Sequence, residues 1–270
     1  MGTTDAVSER ESLRDLAVAV AAEAGELAAR GQEGITVLDT KSSPTDVVTE
    51  MDRATEDLIR TRLLAARPDD AVLGEEGDDE EGTSGVRWVV DPIDGTVNYL
   101  YGQPDWGVCV AAEVDGVVVA AAVNVPGRGR MYEAVLGGGA RRDGRVLQAP
   151  PAVPLERALV ATGFGYSSRR RLRQAQVLQG VIPYVRDIRR GGSAALDLVG
   201  LAEGYYNAYY ERGLNLWDWA APSLIAQEAG VRVAGARGGP PSEDLVIAGP
   251  PGLYEALDEL LAPLGADTDG

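Results

Sequence analysis

The feature that most constrains the fold is a pair of apolar segments separated by one Asp-Gly turn. Residues 107–114 and 117–125 are rich in valine and alanine, and Asp115-Gly116 lies between them. This arrangement is typical of a β-hairpin, because aspartate and glycine tolerate the left-handed backbone that a two-residue turn needs. The sequence therefore predicts that these two segments pair as antiparallel strands.

The remaining sequence alternates between helical and strand patterns. Two helices begin with the spacing of a capping box, one at Ser8 and Glu11 and the other at Thr49 and Asp52. Apolar periodicity predicts helices at 8–30, 49–66, 169–180, 193–202, 217–229 and 251–261, and further strands at 71–73, 87–90, 130–135, 158–162, 184–188, 204–210, 231–233 and 244–248. This mixture predicts an α+β protein with a layered architecture.

Length and one proline-rich segment define the expected domain organisation. A chain of 270 residues is long enough to bury a large core. Residues 150–154 have the sequence PPAVP, a candidate hinge between two differently patterned regions. We therefore expect one domain over residues 1–270, with two halves at about 1–150 and 155–270.

The composition limits the chemistry that the chain can perform. The sequence has no histidine and a single cysteine, Cys109. The lack of histidine excludes Ser-His-Asp triads, phosphohistidine intermediates and histidine-ligated zinc, and one cysteine excludes an intramolecular disulfide. Chemistry must rest on carboxylates, hydroxyls, lysine, arginine and backbone groups, whose oxygen atoms favour hard cations such as Mg²⁺, Mn²⁺ or Ca²⁺.

Charge and hydropathy exclude further classes of function. Lysine and arginine number 25 against 42 aspartate and glutamate residues, a formal net charge of −17. Such a chain repels nucleic acids, so no nucleic-acid partner is expected. We find no apolar run of about 18 residues and no signal-peptide pattern in the charged first segment. We therefore expect no membrane span and predict a cytoplasmic protein.

Carboxylates occur at three places where predicted elements meet. Glu75 and Glu76 follow the strand at 71–73, Asp91 and Asp94 follow the strand at 87–90, and Asp218 begins the helix at 217–229. The Pro92-Ile93 turn can direct both aspartates and the Ile93 carbonyl to one side. The backbone N–H groups of Gly95 and Thr96 follow and can bind an anion. Carboxylates for metals beside N–H groups for phosphate favour metal-assisted phosphoester hydrolysis.

Each of these segments also has a purely structural interpretation. An isolated Asp-Pro-Ile-Asp sequence is typical of a turn or helix cap, and Glu75 and Glu76 begin an acidic run that is typical of a solvated loop. A Trp217-Asp218 pair is also typical of an anchoring aromatic residue beside a helix start. Only the combination of the segments favours a functional site.

Five segments occur together in a recognisable order. They are KSSPTDVVTEMD at 41–52, LGEE at 73–76, WVVDPIDGTVNY at 88–99, GSAA at 192–195 and WDWAAPSLIAQEAG at 217–230. On these segments the chain resembles the inositol monophosphatase family over residues 10–262. This family is part of the Mg²⁺-dependent, lithium-sensitive phosphatase superfamily that includes fructose-1,6-bisphosphatase. The resemblance implies a layered α/β/α/β/α sandwich and a homodimer.

The resemblance also implies a set of metal ligands. Residues matching Glu75, Asp91 and the Ile93 carbonyl hold one Mg²⁺ in the family, and those matching Asp91, Asp94 and Asp218 hold a second. A third, weaker ion lies on the Glu75 side, so two to three Mg²⁺ ions are expected, with Mn²⁺ as a possible substitute.

Further residues match the family's catalytic and substrate-binding positions. Glu75 and Thr96 correspond to the pair that orients and activates the attacking water, with Asp52 supporting the metal site. The positions that contact substrate correspond to Asp94, Gly95, Thr96, Gly192, Ser193, Ala194 and Glu211, and Lys41 lies at the rim. Arg189 lies beside the same wall and is a further candidate for a substrate contact. Structural alternatives are a helix cap for Asp52, an exposed lysine for Lys41 and a surface arginine for Arg189.

The resemblance predicts a phosphoric monoester hydrolase whose substrate is a small phosphorylated polyol such as inositol monophosphate. Histidinol phosphate, fructose 1,6-bisphosphate and 3′-phosphoadenosine 5′-phosphate are alternative substrates. A hypothesis of another class is a regulatory or binding protein that keeps the fold without the activity.

Overall fold

The computed structural model describes residues 3–33, 37–40 and 47–268. The helices are α1 (Thr3–Gly31), α2 (Glu50–Ala66), α3 (Thr96–Leu100), α4 (Ser168–Val181), α5 (Ala194–Glu203), α6 (Leu216–Glu228) and α7 (Leu253–Leu261). The strands are β1 (Val37–Thr40), β2 (Val47–Thr49), β3 (Ala71–Gly74), β4 (Val86–Asp94), β5 (Gly107–Val114), β6 (Val117–Val125), β7 (Arg130–Val135), β8 (Gly139–Arg142), β9 (Arg145–Val146), β10 (Leu159–Thr162), β11 (Asp187–Arg189), β12 (Ala208–Glu211), β13 (Arg232–Ala234) and β14 (Val246–Gly249).

Two mixed sheets form the framework. The larger sheet has the order β3-β4-β5-β6-β7-β8-β9, with only β3 and β4 parallel, and the smaller has the order β11-β10-β12-β14-β13. The predicted hairpin is confirmed as β5 and β6, and Asp115 and Gly116 have φ angles of 51° and 79°. The positive φ values are the reason that this turn needs residues of these two types.

Helices cover both faces of each sheet, so the molecule has five layers. Alternate residues of the larger sheet point to opposite sides: Trp88 and Val90 pack with α1 and α2, whereas Val89 and Cys109 pack with α5 and α6. The smaller sheet packs its other face against α4 and α7. The predicted α+β sandwich, with layers in the order α/β/α/β/α, is therefore confirmed.

At the N-terminal end one prediction differs from the structure and one pair of strands was not predicted. Helix α1 begins at Thr3, so Ser8 and Glu11 lie inside it and form no cap. A capping pattern is local, and the residues before it can still be helical. The second capping box is confirmed, because Thr49 Oγ1 accepts the Asp52 N–H over 3.3 Å and Asp52 Oδ2 accepts the Thr49 N–H over 2.8 Å. Strands β1 and β2 were not predicted, since they are too short to show an alternating pattern.

The proline-rich segment 150–154 lies between β9 of the larger sheet and β10 of the smaller one. A division into two halves at this segment stays a prediction. Within the described part of the chain, no helix is long and apolar enough to cross a membrane. The end of β4 and the first residues of α5 and α6 lie side by side, and this junction positions the candidate site.

Candidate active site

A cavity of about 500 Å³ opens at the junction of β4, α5 and α6. It is lined by most of the residues that the sequence singled out as candidate ligands or substrate contacts. These are Glu75, Asp91, Ile93, Asp94, Gly95, Thr96, Gly192, Ser193, Ala194, Glu211 and Asp218. Residues that are far apart in the sequence therefore meet at one place.

Three carboxylates form the centre of the cavity, and we call Asp91, Asp94 and Asp218 the carboxylate cluster. One oxygen atom from each lies within 4.8 Å of the others. Asp91 and Asp94 are 1% and 8% exposed, and Asp218 is half-buried. Three negative charges at this distance and burial repel one another strongly unless a positive charge is present.

Hydrogen bonds hold Asp91 and Asp94, the two aspartates at the end of β4. Asp91 Oδ1 accepts the N–H of Ile93 over 3.0 Å, which turns the chain back on itself. Asp94 Oδ2 accepts the Ser193 hydroxyl and, over 2.9 Å, the N–H of Ala195 at the start of α5. Burial nevertheless raises the pKa of Asp94 to about 6, because desolvation outweighs these hydrogen bonds.

Asp218 reaches the cluster from the first turn of α6. Its Oδ2 accepts the N–H of Asn215, the residue that caps the helix, over 2.7 Å. Burial raises the pKa of Asp218 well above its usual range, and the charges of Glu75 and Asp94 raise it further. The hydrogen bond from Asn215 therefore holds the Asp218 carboxylate near two other negative charges, which repel it.

The donor set of the cavity fits a hard divalent cation. Asp91, Asp94, Asp218 and Glu75 offer carboxylate oxygens, and the Ile93 main chain adds a carbonyl group at the same wall. Oxygen donors of this kind suit Mg²⁺ or Mn²⁺. A bound cation would also offset the repulsion that raises the pKa values of the cluster.

Thr96 connects the cavity to a buried aspartate on α2. Its hydroxyl oxygen lies 3.2 Å from Asp52 Oδ1 and 3.2 Å from the Ile93 carbonyl oxygen. Asp52 is 1% exposed and does not line the cavity. It therefore contacts Thr96 from behind, where it can orient the hydroxyl group.

Glu211 lies on the opposite wall, at the end of β12. Its Oε2 accepts the Tyr209 hydroxyl over 2.8 Å, and burial raises its pKa to about 7. The positive charge of Arg190 lowers this pKa, but by less than burial raises it. A Cβ atom on Gly163 would stand 2.0 Å from Glu211 Oε2, so only glycine leaves room for the carboxylate. We call Glu211, Tyr209 and Arg190 the Glu211 wall.

Two sequence candidates do not reach the cavity. The exposed Arg189 pairs with Asp187, with 2.6 Å between Nη1 and Oδ2, whereas the adjacent Arg190 lines the cavity. The two neighbours point differently because successive side chains of an extended segment alternate in direction. Lys41 lies outside the described residues.

Sequence reasoning missed several residues that surround the site. Nothing in the sequence indicates a role for Arg190 except its position next to Arg189. Glu56 lies one helical turn after Asp52 and therefore on the same face of α2, a periodic signal that was available. Gly163 and Tyr209 had none, because their importance depends on where Glu211 lies in the folded chain.

Comparison with known proteins agrees with this geometry. The model of the inositol monophosphatase family matches residues 9–266. Inositol-1-monophosphatase SuhB of Mycobacterium tuberculosis H37Rv is 46% identical over 250 residues, which cover 87% of this chain and 83% of that protein. The Nus factor SuhB of Pseudomonas aeruginosa is 34% identical over 262 residues, covering 94% and 97%.

The fold has close structural relatives as well. The crystal structure of extragenic suppressor protein suhB from Bartonella henselae has a TM-score of 0.86 at 32% identity, covering 93% of this chain and 98% of that one. Sequence, fold and the arrangement of the cavity thus agree. The chain belongs to the inositol monophosphatase family, a family of phosphoric monoester hydrolases.

Proposed function

We propose that the protein is a Mg²⁺-dependent phosphomonoesterase that hydrolyses inositol monophosphate, or a similar polyol phosphate, to the alcohol and inorganic phosphate. The observation that carries the proposal is that one cavity holds both the carboxylate cluster and Glu211. The cluster suits cations that bind a phosphate group, and Glu211 suits the hydroxyl groups of a polyol. The relative from M. tuberculosis is named for this activity.

We assign the cations to the oxygen donors of the cavity. Glu75, Asp91 and the Ile93 carbonyl would hold one Mg²⁺, and Asp91, Asp94 and Asp218 a second. A third, weaker ion would lie beside Glu75, and Mn²⁺ would use the same donors. When bound, the cations supply the positive charge that lowers the pKa of water and stabilises the leaving alkoxide.

We assign the orientation of the attacking water to Glu75 and Thr96. Donation from the Thr96 hydroxyl to Asp52 Oδ1 leaves its oxygen lone pairs to accept a hydrogen bond from water. The Glu75 carboxylate would take the proton that this water releases, so the chemistry needs no histidine. The N–H groups of Gly95 and Thr96 would bind phosphate oxygens.

The alcohol part of the substrate would contact the other walls. Gly192, Ser193 and Ala194 line one side, and the Glu211 carboxylate can accept hydrogen bonds from two adjacent hydroxyl groups. Arg190 replaces Arg189 as the proposed substrate-facing arginine. Of the two arginines that line the cavity, Arg170 pairs with Glu243 over 3.1 Å, which favours a substrate with one phosphate group over a bisphosphate.

A regulatory role is the second candidate, because the P. aeruginosa relative is named a Nus factor. This role does not require a functional cavity, whereas the phosphatase does. All the proposed metal ligands are present in this chain, which favours the phosphatase. The two candidates are separated by whether purified protein releases phosphate.

The decisive experiment is a Mg²⁺-dependent screen of phosphorylated metabolites. It compares kcat/KM for inositol monophosphate, histidinol phosphate, fructose 1,6-bisphosphate and 3′-phosphoadenosine 5′-phosphate. We expect the highest value for inositol monophosphate and no turnover with excess chelator. Folded protein that releases no phosphate from any of them contradicts the enzymatic proposal, and a preference for another substrate contradicts its finer part.

Two further properties follow from the same proposal. Lithium is expected to inhibit turnover by competing for the second cation position, and the protein is expected to form a homodimer. Steady-state kinetics with lithium chloride and light scattering measure these properties separately.

A further inference from the structure

Helix α2 carries a second buried carboxylate, Glu56, which faces the loop after β3. Only 2% of Glu56 is exposed, and it follows Asp52 by one helical turn on the same face of α2. Its Oε2 accepts the N–H of Glu76 and its Oε1 the N–H of Gly77, both over 2.8 Å. Glu56 therefore binds the backbone immediately after Glu75.

Two glycines allow this loop to approach the carboxylate. A Cβ atom on Gly74 would stand 2.4 Å from Glu56 Oε1, and one on Gly77 would stand 3.0 Å from the same atom. Arg60 Nε donates to Glu56 Oε1 over 2.8 Å and compensates the buried charge. The Gly-Glu-Glu-Gly segment thus wraps around one fixed carboxylate.

The restraint matters because Glu75 lines the same cavity as the carboxylate cluster. Ionised carboxylates that line one cavity repel one another, and the charge of Glu75 helps to raise the pKa of Asp218. Without a cation, this repulsion favours conformations in which Glu75 moves away from the cavity. Hydrogen bonds to an ionised acceptor are about twice as strong as neutral ones, so the two bonds from Glu56 oppose that movement.

We infer that Glu56 is a positioning residue that holds Glu75 ready for a cation before the cation binds. Helix α2 then supports both partners of the attacking water, with Asp52 behind Thr96 and Glu56 behind Glu75. The inference rests on the proposed function, because it takes Glu75 as a cation ligand. Outer partners of metal ligands change metal affinity by about 10–100-fold.

The test is Mn²⁺ binding to the purified full-length chain, measured by the electron paramagnetic resonance signal of free Mn²⁺. Glu56→Gln keeps the side-chain size but turns an amide N–H₂ toward one of the two backbone N–H groups. We expect its Mn²⁺ affinity to fall roughly tenfold or more. Asp57→Asn removes one charge from the exposed face of the same helix and is expected to bind Mn²⁺ like the wild type.

Two further measurements keep the inference testable if Glu56→Gln does not fold. Gly74→Ala keeps the Glu56 charge but displaces the carboxylate, and the same loss of affinity is expected. In the metal-free wild type, hydrogen exchange of the Glu76 and Gly77 amides is expected to be slow.

The outcomes separate the role of Glu56 from the proposed function. Wild-type Mn²⁺ affinity in a folded Glu56→Gln or Gly74→Ala variant overturns the role of Glu56. Fast exchange of both amides in the metal-free wild type overturns it as well. A wild-type protein that binds no Mn²⁺ overturns the proposed function instead.

Discussion

The carboxylate cluster and the Glu211 wall face each other across one cavity, yet they accommodate buried negative charge differently. Backbone N–H groups and a serine hydroxyl hold Asp94 and Asp218, and the pKa values of both remain raised. The pKa of Glu211 is raised as well, but the Tyr209 hydroxyl against it and the positive charge of Arg190 nearby both lower it. The cluster could therefore bind a cation, whereas the Glu211 wall includes a positively charged side chain.

This difference separates catalysis from selectivity. A cation bound at the cluster could contact any phosphate group, so it would contribute little to the choice of alcohol. A carboxylate with its own counter-charge can hydrogen-bond a particular pattern of hydroxyl groups. Changes at the two places should therefore have different effects on turnover and on substrate preference.

The largest effect is expected at the cluster. Asp94→Asn retains the shape of the side chain but removes a charge that the cation needs, so we expect turnover to fall by more than about 100-fold on every substrate. The melting temperature without metal should not fall, because one repelling charge is gone. Kinetics and thermal melting measure the two quantities.

Asp115→Asn is the matched control for this change, since Asp115 lies in the turn of the β5–β6 hairpin and asparagine tolerates the same left-handed backbone. Near-normal turnover of Asp94→Asn would contradict the assignment of Asp94 as a cation ligand.

A smaller and selective effect is expected at the Glu211 wall. Glu211→Gln weakens hydrogen bonds to a charged acceptor, worth about 1.5–3 kcal/mol, so kcat/KM for inositol monophosphate should fall roughly 10–100-fold. The loss for an aryl phosphate without adjacent hydroxyl groups should be smaller. Glu259→Gln, on the exposed side of α7, serves as the control. Equal losses on both substrates would indicate that Glu211 has a structural role.

The pH dependence of substrate binding should also distinguish the Glu211 wall from the carboxylate cluster. Because burial raises the pKa of Glu211 from 4.5 to about 7, the carboxylate proposed to accept the hydroxyl groups becomes protonated as pH falls through 7. We expect KM for inositol monophosphate to rise by up to roughly tenfold for each unit of pH below that value, and to level off near the KM of Glu211→Gln. Glu211→Gln should lack this dependence and so correct for titration of the substrate phosphate. A wild-type profile identical to that of Glu211→Gln would contradict the prediction.

The smallest effect is expected from Tyr209→Phe. The Tyr209 hydroxyl donates to Glu211 and lowers its pKa, so its removal should move the midpoint of the KM profile upward by about half a pH unit to one unit. Turnover at high pH should change little. The pH profile of KM measures the shift, and a downward shift would be inconsistent with this hydrogen bond.

The sequence was sufficient for most of the fold because the relevant signals are local. The Asp-Gly turn predicted the bounds of β5 and β6, and the Thr49 capping box predicted the start of α2. The start of α1 was missed because a capping pattern can also occur inside a helix. The pair β1–β2 was missed because strands of three or four residues are too short to show a periodic pattern.

The candidate site was predictable where residues cluster in short motifs and not where it depends on tertiary approach. Asp91 and Asp94 lie in one turn, so their proximity follows from four residues. The choice of Arg190 over Arg189 depends on the local direction of the chain after β11. The importance of Gly163 arises only when distant segments meet, and the helical spacing from Asp52 places Glu56 on one face of α2 without identifying the loop that it binds.

The position of Asp218 has a consequence for the folding of the whole chain. Asp91 and Asp94 belong to the larger sheet, and Asp218 opens the helix that packs between the sheets. A cation held by all three would join points 218 − 91 = 127 residues apart. Such an ion binds only the folded chain and so resists its unfolding by mass action. The ion proposed for catalysis would then also act as a reversible cross-link between two distant segments of the polypeptide.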